Sequence, residues 1–309
     1  MNQTTLKSKL RISGVGLHSG QTVSMSLQEA PENHGIRFYQ SENGKIIDCV
    51  PALADYVVDS VRCTAIGKGS HSRINTIEHL MAAIFGCGLT NAKVYIEGTE
   101  VPTLDGSSLE FFKKILRVGL KKQNAPMKFM KIRRKVQWSD SANGIYASIE
   151  PSDSFEMKYT IDYPSPIGLN SKHLQTINGS VATHLGASRT FCQKSEISKL
   201  LEHGLGRGGD INNVVVVDAQ NGCFLNAVRY PDECLRHKLL DAFGDLALVG
   251  MPIMGFFVGI KSGHKANVGL VKKILSDTRN YELREMDELV ARIMPGADLT
   301  YSDLPQFSC

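Results

Sequence analysis

Hydrophobic positions along the chain fall into short strand-like runs and longer helical stripes. Strand signals mark 22–28, 36–40, 145–150 and 155–163. Ile77, Leu80, Met81, Ile84 and Phe85 follow the i, i+3, i+4, i+7, i+8 spacing of a core-facing stripe, which predicts a helix over about 75–86. Further helices are predicted at about 108–118, 233–249 and 268–275. Strands followed by helices imply an α+β fold in which a sheet is covered by a helix pair.

The pattern also repeats itself. Glu-His-Leu-Met-Ala-Ala-Ile-Phe-Gly at 78–86 aligns with Arg-His-Lys-Leu-Leu-Asp-Ala-Phe-Gly at 236–244. Each segment leads to a strand-like run, 92–97 or 254–261, and then to Lys-Lys-Ile, at 113–115 or 272–274. The offset is 158 to 159 throughout, and in that frame Asp105 stands opposite His264. This predicts two related domains. Asn124 and Pro126 supply a break, so 1–125 would carry Glu78 and His79, and 126–309 would carry His237, Asp241 and His264. The second half holds extra chain at about 192–218, read as a helix (195–203), a glycine-dense loop and a strand (214–217). Those glycines permit close backbone approach; they do not match a nucleotide-binding loop and are assigned no phosphate role.

Composition narrows the class. Of 309 residues, 42% are apolar and 21% charged, the balance of a globular protein rather than a disordered one. The net charge of +4 is too mild for a nucleic-acid partner, and the basic cluster 128–135 is interleaved with apolar residues, as in a strand with a solvated face. Gly250, Pro252, Gly255 and Gly259 break the longest apolar stretch, 246–260, too short in any case for a transmembrane segment. Residues 1–13 lack the apolar core of a signal peptide. Seven dispersed cysteines without a C-x-x-C pair suggest reduced thiols and a cytoplasmic location.

The candidate chemistry lies on the two echoed helices. His237, Asp241 and Asp245 fall at i, i+4 and i+8 on one line of a helix flanked by Leu235, Leu239, Phe243 and Leu246. No basic residue follows close behind, so burying the carboxylates unpaired would be costly, and a metal would remove that cost. A solvent-facing stripe is the equal alternative for this helix alone. On the first helix, Asn75-x-x-Glu78 reads as a capping box and His79 as an exposed or capped histidine. If the halves are related by approximate two-fold symmetry, His79 and His237 are equivalent and converge. Two histidines and an aspartate leave a fourth position for water, the layout of a catalytic zinc site, with Glu78 placed to take a proton. His264 has a candidate partner in Asp245, which would raise its pKa and orient it.

At these residues the sequence resembles the UDP-3-O-acyl-N-acetylglucosamine deacetylase family, which catalyses the committed step of lipid A synthesis. The resemblance runs over essentially the whole chain. Its most specific elements are Ser13-Gly-Val-Gly-Leu-His-Ser-Gly20, Thr76-Ile-Glu-His-Leu80, Leu104-Asp-Gly-Ser107, Ser188-Arg-Thr-Phe191, Arg236-His-Lys-x-x-Asp-x-x-Gly-Asp245 and Lys261-Ser-Gly-His264. It implies two domains whose mixed sheets sandwich the helices, with the active site at their interface. It also implies zinc on His79, His237 and Asp241, with Fe2+ as an alternative metal, and Glu78 as general base. His264 would be the cationic acid or oxyanion stabiliser, oriented by Asp245. Thr190 would help bind the acetyl carbonyl, Phe191 would lie beside the sugar, and Lys238 would contact the diphosphate. The insert from Ile197 through Gly209 to Val216 would form a passage for the acyl chain, while Leu17, His18 and Cys63 would line the site. The substrate would be a UDP-linked acylated amino sugar and the products acetate and a free amine, made by a cytoplasmic monomer. No dehydratase domain follows Cys309, so the single-function form is expected. Arg62, where an apolar residue is usual, and Gly206-Arg-Gly-Gly-Asp210 depart from the family pattern and bear on acyl-chain preference. Two other readings compete: a catalytically silent metal-binding protein on this fold, and a zinc amidase for another acylated amine.

Overall fold

The computed structural model describes residues 1–69, 71–175, 179–294 and 299–307. Cys309 lies outside them; the cysteines at 49, 63, 87, 192, 223 and 234 are unpaired thiols. The first half builds a five-stranded mixed sheet in the order Leu10–Val15, Thr22–Glu29, Ala92–Glu97, Ile36–Glu42, Lys45–Pro51. The second half repeats it as Val136–Asp140, Ile145–Glu150, Ile253–Ile260, Phe155–Asp162, Leu169–Gln175. In each, the third strand pairs in parallel with the fourth, and every other neighbour is antiparallel. The repeat seen in sequence is therefore a repeat of topology. The second sheet is extended by Lys128–Ile132, parallel to the start of Ile253–Ile260, and by Tyr281–Glu285 beyond it.

Helix α1 (Glu78–Gly86) packs against α4 (Glu233–Leu246). Helix α2 (Leu109–Val118) lies beside α1, a short α3 (Ile197–Glu202) falls in the insert, and α5 (His264–Leu275) lies beside α4. Helix α2 buries one apolar stripe, Leu109, Phe111, Phe112 and Ile115, whereas α1 and α4 are buried almost all round, as expected of helices enclosed by other layers. The echoed glycines explain how closely these helices sit. A Cβ on Gly244 would lie 2.1 Å from the Glu78 carbonyl oxygen, and one on Gly86 would lie 2.6 Å from the Phe112 ring. Without a side chain at those points the helix axes reach contact distance. No helix among the described residues is long and apolar enough to cross a membrane.

Three helix starts differ from the sequence expectation. Helix α1 begins at Glu78 rather than near 75, because Thr76 adopts a left-handed conformation (φ 59°) that breaks the helix before it. The capping box is absent: Asn75 donates to the Thr99 carbonyl and accepts from Arg73, and Ile77 occupies the cap position. Helix α5 begins at His264, so this residue opens a helix instead of sitting in a loop. The insert helix is shorter than 195–203, with a 3-10 turn over Lys194–Glu196 before Ile197.

Candidate active site

The N-terminal turn of α1 faces the middle of α4, and the predicted ligands meet there. The Nε2 atoms of His79 and His237 lie 3.4 and 3.2 Å from Asp241 Oδ1. All three side chains are buried, and their ligand atoms lie within 4.8 Å of one another. The imidazole rings stand edge to face, 4.9 Å between centroids. His237 Nδ1 lies 3.0 Å from the Ser188 carbonyl, an acceptor that fixes the proton on Nδ1 and leaves the Nε2 lone pair facing inward. Burial holds the His237 imidazole down at about 3, against the pull of Asp241, so it is neutral as a ligand must be. Among the described residues, the buried Asp241 Oδ1 has no hydrogen-bond partner. A buried carboxylate oxygen left unpaired between two imidazole nitrogens is the donor set of a dication. The residues present fit a metal.

One sequence expectation is corrected here. Asp241 is not short of a basic neighbour: Lys238, one turn earlier on α4, donates from Nζ to Asp241 Oδ2 at 2.6 Å. Burial alone would push the Asp241 carboxyl up, but His237 and Lys238 outweigh it and hold it well below the usual carboxylate range. The same contact raises the Lys238 ammonium despite its burial.

Around this cluster stand Glu78, His264 and Asp245. Glu78 is buried, its Oε1 lies 3.9 Å from His264 Nε2, and its Oε2 accepts from the Thr64 N–H at 3.0 Å. Burial pushes the Glu78 carboxyl up, against the opposing charges of His264 and His79. His264 Nδ1 lies 2.9 Å from Asp245 Oδ2. Burial disfavours the His264 cation, but the Asp245 and Glu78 carboxylates override it and raise the imidazole to about 9. The Asp245–His264 pairing therefore forms as the sequence suggested.

Leu17, His18, Thr190, Phe191, Ile197, Gly209 and Val216 all line one cavity of about 290 Å3, together with Leu200, Leu201 and Leu205. Phe191 joins it to the metal cluster, its ring centroid 6.2 Å from that of His237. Lys238 Nζ sits 5.8 Å over the Phe191 ring. Cys63 is buried beside Glu78 but does not line this cavity. The glycine-dense loop does make the close approach expected of it. Gly208 donates to the Leu17 carbonyl, and a Cβ there would lie 2.2 Å from the Gly16 oxygen. A larger cavity of about 650 Å3 lies at the other ends of α1 and α4, around Phe85, Phe243 and Leu246, and includes none of Glu78, His79, His237, Asp241, Asp245 and His264.

Residues 3–276 match the UDP-3-O-acyl N-acetylglycosamine deacetylase family. The chain belongs to this family. A UDP-3-O-acyl-N-acetylglucosamine deacetylase of Myxococcus xanthus is 39% identical over 283 residues, 91% of this chain and 89% of the relative. Enzymes of the same name from Helicobacter pylori and Neisseria meningitidis are each 35% identical, over 92% and 94% of this chain and 94% and 96% of their own. The family is one of metalloenzymes, and the described residues offer one matching cluster, His79, His237 and Asp241. Two buried residues that hold Asp245 escaped the sequence reading. Thr64 donates from Oγ1 to Asp245 Oδ1 at 2.5 Å, and Asn267 donates from Nδ2 to Asp245 Oδ2 at 2.9 Å. Only the position of Asn267 three residues after His264 hinted at its side of the helix. For Thr64 no periodic signal exists, since its partner lies 181 residues away.

Proposed function

We infer that this protein is a deacetylase, a hydrolase that removes the N-acetyl group of UDP-3-O-acyl-N-acetylglucosamine in lipid A biosynthesis. The observation that carries the reading to these residues is the unpaired Asp241 Oδ1 between two imidazole nitrogens, with a carboxylate and a cationic imidazole beside it.

His79, His237 and Asp241 would hold zinc, which when bound supplies a Lewis acid and a water of lowered pKa. Glu78 takes the proton of the attacking water; burial raises its carboxyl, which makes it a stronger base than a free carboxylate. His264 is held as a cation by Asp245 and faces the same space from Nε2. It steadies negative charge on the carbonyl oxygen and passes a proton to the departing amine. Thr190 reaches the acetyl carbonyl, Phe191 packs against the sugar and Lys238 meets the diphosphate. The acyl chain enters the apolar cavity between Leu17 and the insert residues Ile197 to Val216. Unpaired thiols fit a reducing compartment, and we place the enzyme in the cytoplasm. The chain divides near residue 125 into two halves that each supply part of the site.

Acetate release from UDP-3-O-acyl-N-acetylglucosamine tests this directly. The rate is expected to vanish with a strong chelator and return with zinc. Glu78→Ala should lower kcat by roughly 100-fold to 10,000-fold while the protein still binds metal. Near-normal turnover by Glu78→Ala would remove it as the base. Metal analysis of protein purified without added zinc distinguishes zinc from iron.

A further inference from the structure

The two proton-handling groups belong to different parts of the chain, Glu78 to α1 and Asp245 with His264 to α4 and α5. Thr64 belongs to none of these helices and touches both groups. Its N–H donates to Glu78 Oε2 at 3.0 Å, its hydroxyl donates to Asp245 Oδ1 at 2.5 Å, and its carbonyl accepts from the Ile77 N–H at 3.2 Å, at the start of α1. Thr64 is fully buried. Among the described residues it is the hydrogen-bond partner that Glu78 and Asp245 share.

The geometry divides the labour on Asp245. Oδ2 serves His264 Nδ1 and Asn267 Nδ2, both from α5, while among the described residues Oδ1 is met by Thr64 alone. The His264 side of the carboxylate is thus fixed within the second half, and its other side is fixed to the first. The same Thr64 backbone fixes the Glu78 carboxylate, whose Oε1 stands 3.9 Å from His264 Nε2. We propose that Thr64 is a positioning residue that sets the base Glu78 against the acid pair Asp245–His264 across the two halves of the chain. The proposal rests on the reading of those three residues as the proton-handling set. Its physical content is that replacing the hydroxyl by a methyl leaves the Glu78 contact, which is to backbone, but unties that backbone from Asp245 and leaves a buried carboxylate oxygen without a donor. Placement errors well below the size of an atom slow proton transfer strongly.

Thr64→Val keeps the shape and removes the donor, and Thr64→Ser restores it. With zinc-loaded enzyme and UDP-3-O-acyl-N-acetylglucosamine, Thr64→Val is expected to lose about tenfold or more in kcat, the worth of a hydrogen bond to a charged group. KM and zinc content should stay within about twofold of the parent, because neither the cavity nor the ligands are touched, and Thr64→Ser should recover most of the rate. A kcat for Thr64→Val within about twofold of the parent overturns the proposal, as does a loss of rate that tracks a loss of zinc or that Thr64→Ser fails to rescue. A crystal structure of Thr64→Val reads the same point without turnover: the Glu78–His264 separation should grow, and an unchanged separation counts against the proposal. An inactive parent enzyme would instead sink the assigned function, and the structural comparison would still decide the role of Thr64.

Discussion

Asp245 is fully buried and its carboxylate meets three donors, from Thr64, His264 and Asn267. That arrangement sets the direction of a pH effect. In the proposed mechanism His264 acts as the protonated form; its imidazole is raised to about 9, burial opposing and the Asp245 charge leading the increase. Activity that needs the cation is complete below that value and is lost as pH rises through it. In the same proposal Glu78 acts deprotonated, so activity is expected to be lost as pH falls through its burial-raised value. A dication on the ligands would lower both limbs. Asp245→Asn removes the largest charge supporting the cation, and the alkaline limb of kcat/KM is expected to move to lower pH while the acid limb moves less. An alkaline limb that stays in place would show that it belongs to another group. The residues of this site differ in how visible they were in sequence. His79, His237 and Asp241 could be paired because the echo made two positions equivalent. Glu78 looked like a helix cap, because Asn75-x-x-Glu78 has the right spacing; the left-handed Thr76 between them decides otherwise. Thr64 carried no signal at all, since one hydroxyl in a loop has neither periodicity nor a local partner.

At the scale of elements, Gly244 does what helix propensity disfavours. Gly244 sits inside α4, where glycine is about 1 kcal/mol worse than alanine, yet a Cβ there would lie 2.1 Å from the Glu78 carbonyl oxygen. Gly244→Ala must push α1 and α4 apart at the level of the ligands. It is expected to destabilise the fold by about 1–3 kcal/mol, as overpacking does, despite the better helix former. It should also weaken zinc binding, because His79 and His237 ride on the two separated helices. Chelator competition together with denaturant unfolding checks both parts; a more stable protein with unchanged zinc affinity would refute the packing argument. The Arg62–Glu196 pair makes a contrast. It joins the loop before Thr64 to the start of the insert through two 3.2 Å contacts, but both side chains are exposed by more than 40%. Glu196→Gln is expected to change stability by less than about 1 kcal/mol. Strands and helix cores were legible because apolar periodicity is a property of a short window. Helix starts were not, because Asn75, Thr76 and His264 are governed by contacts outside that window.

For the whole molecule, the matched strand orders show why the echo was a fold signal and not a coincidence of composition. Within the shared five-strand order, both halves place the strand after the His-bearing helix in the middle, antiparallel to the second strand and parallel to the fourth. What sequence could not supply is the manner in which the halves meet, since that depends on pairs far apart in number, such as the half-buried Arg229–Asp105 bridge at 2.7 Å. The proposed metal ligands are such a set, one from the first half and two from the second. A metal bound there stabilises only the form in which both halves are folded and joined, because the unfolded chain does not hold His79 near His237. Its stabilisation follows mass action, about 2.7 kcal/mol at a free metal concentration 100 times the dissociation constant. Thermal unfolding should therefore shift upward with added zinc and downward with a chelator. His79→Ala should erase the zinc-dependent part of the shift while Glu78→Gln preserves it, since Glu78 is outside the ligand set. Equal zinc dependence in His79→Ala and the parent would mean that the ion binds elsewhere, and the convergence of the two halves would lose its assigned purpose.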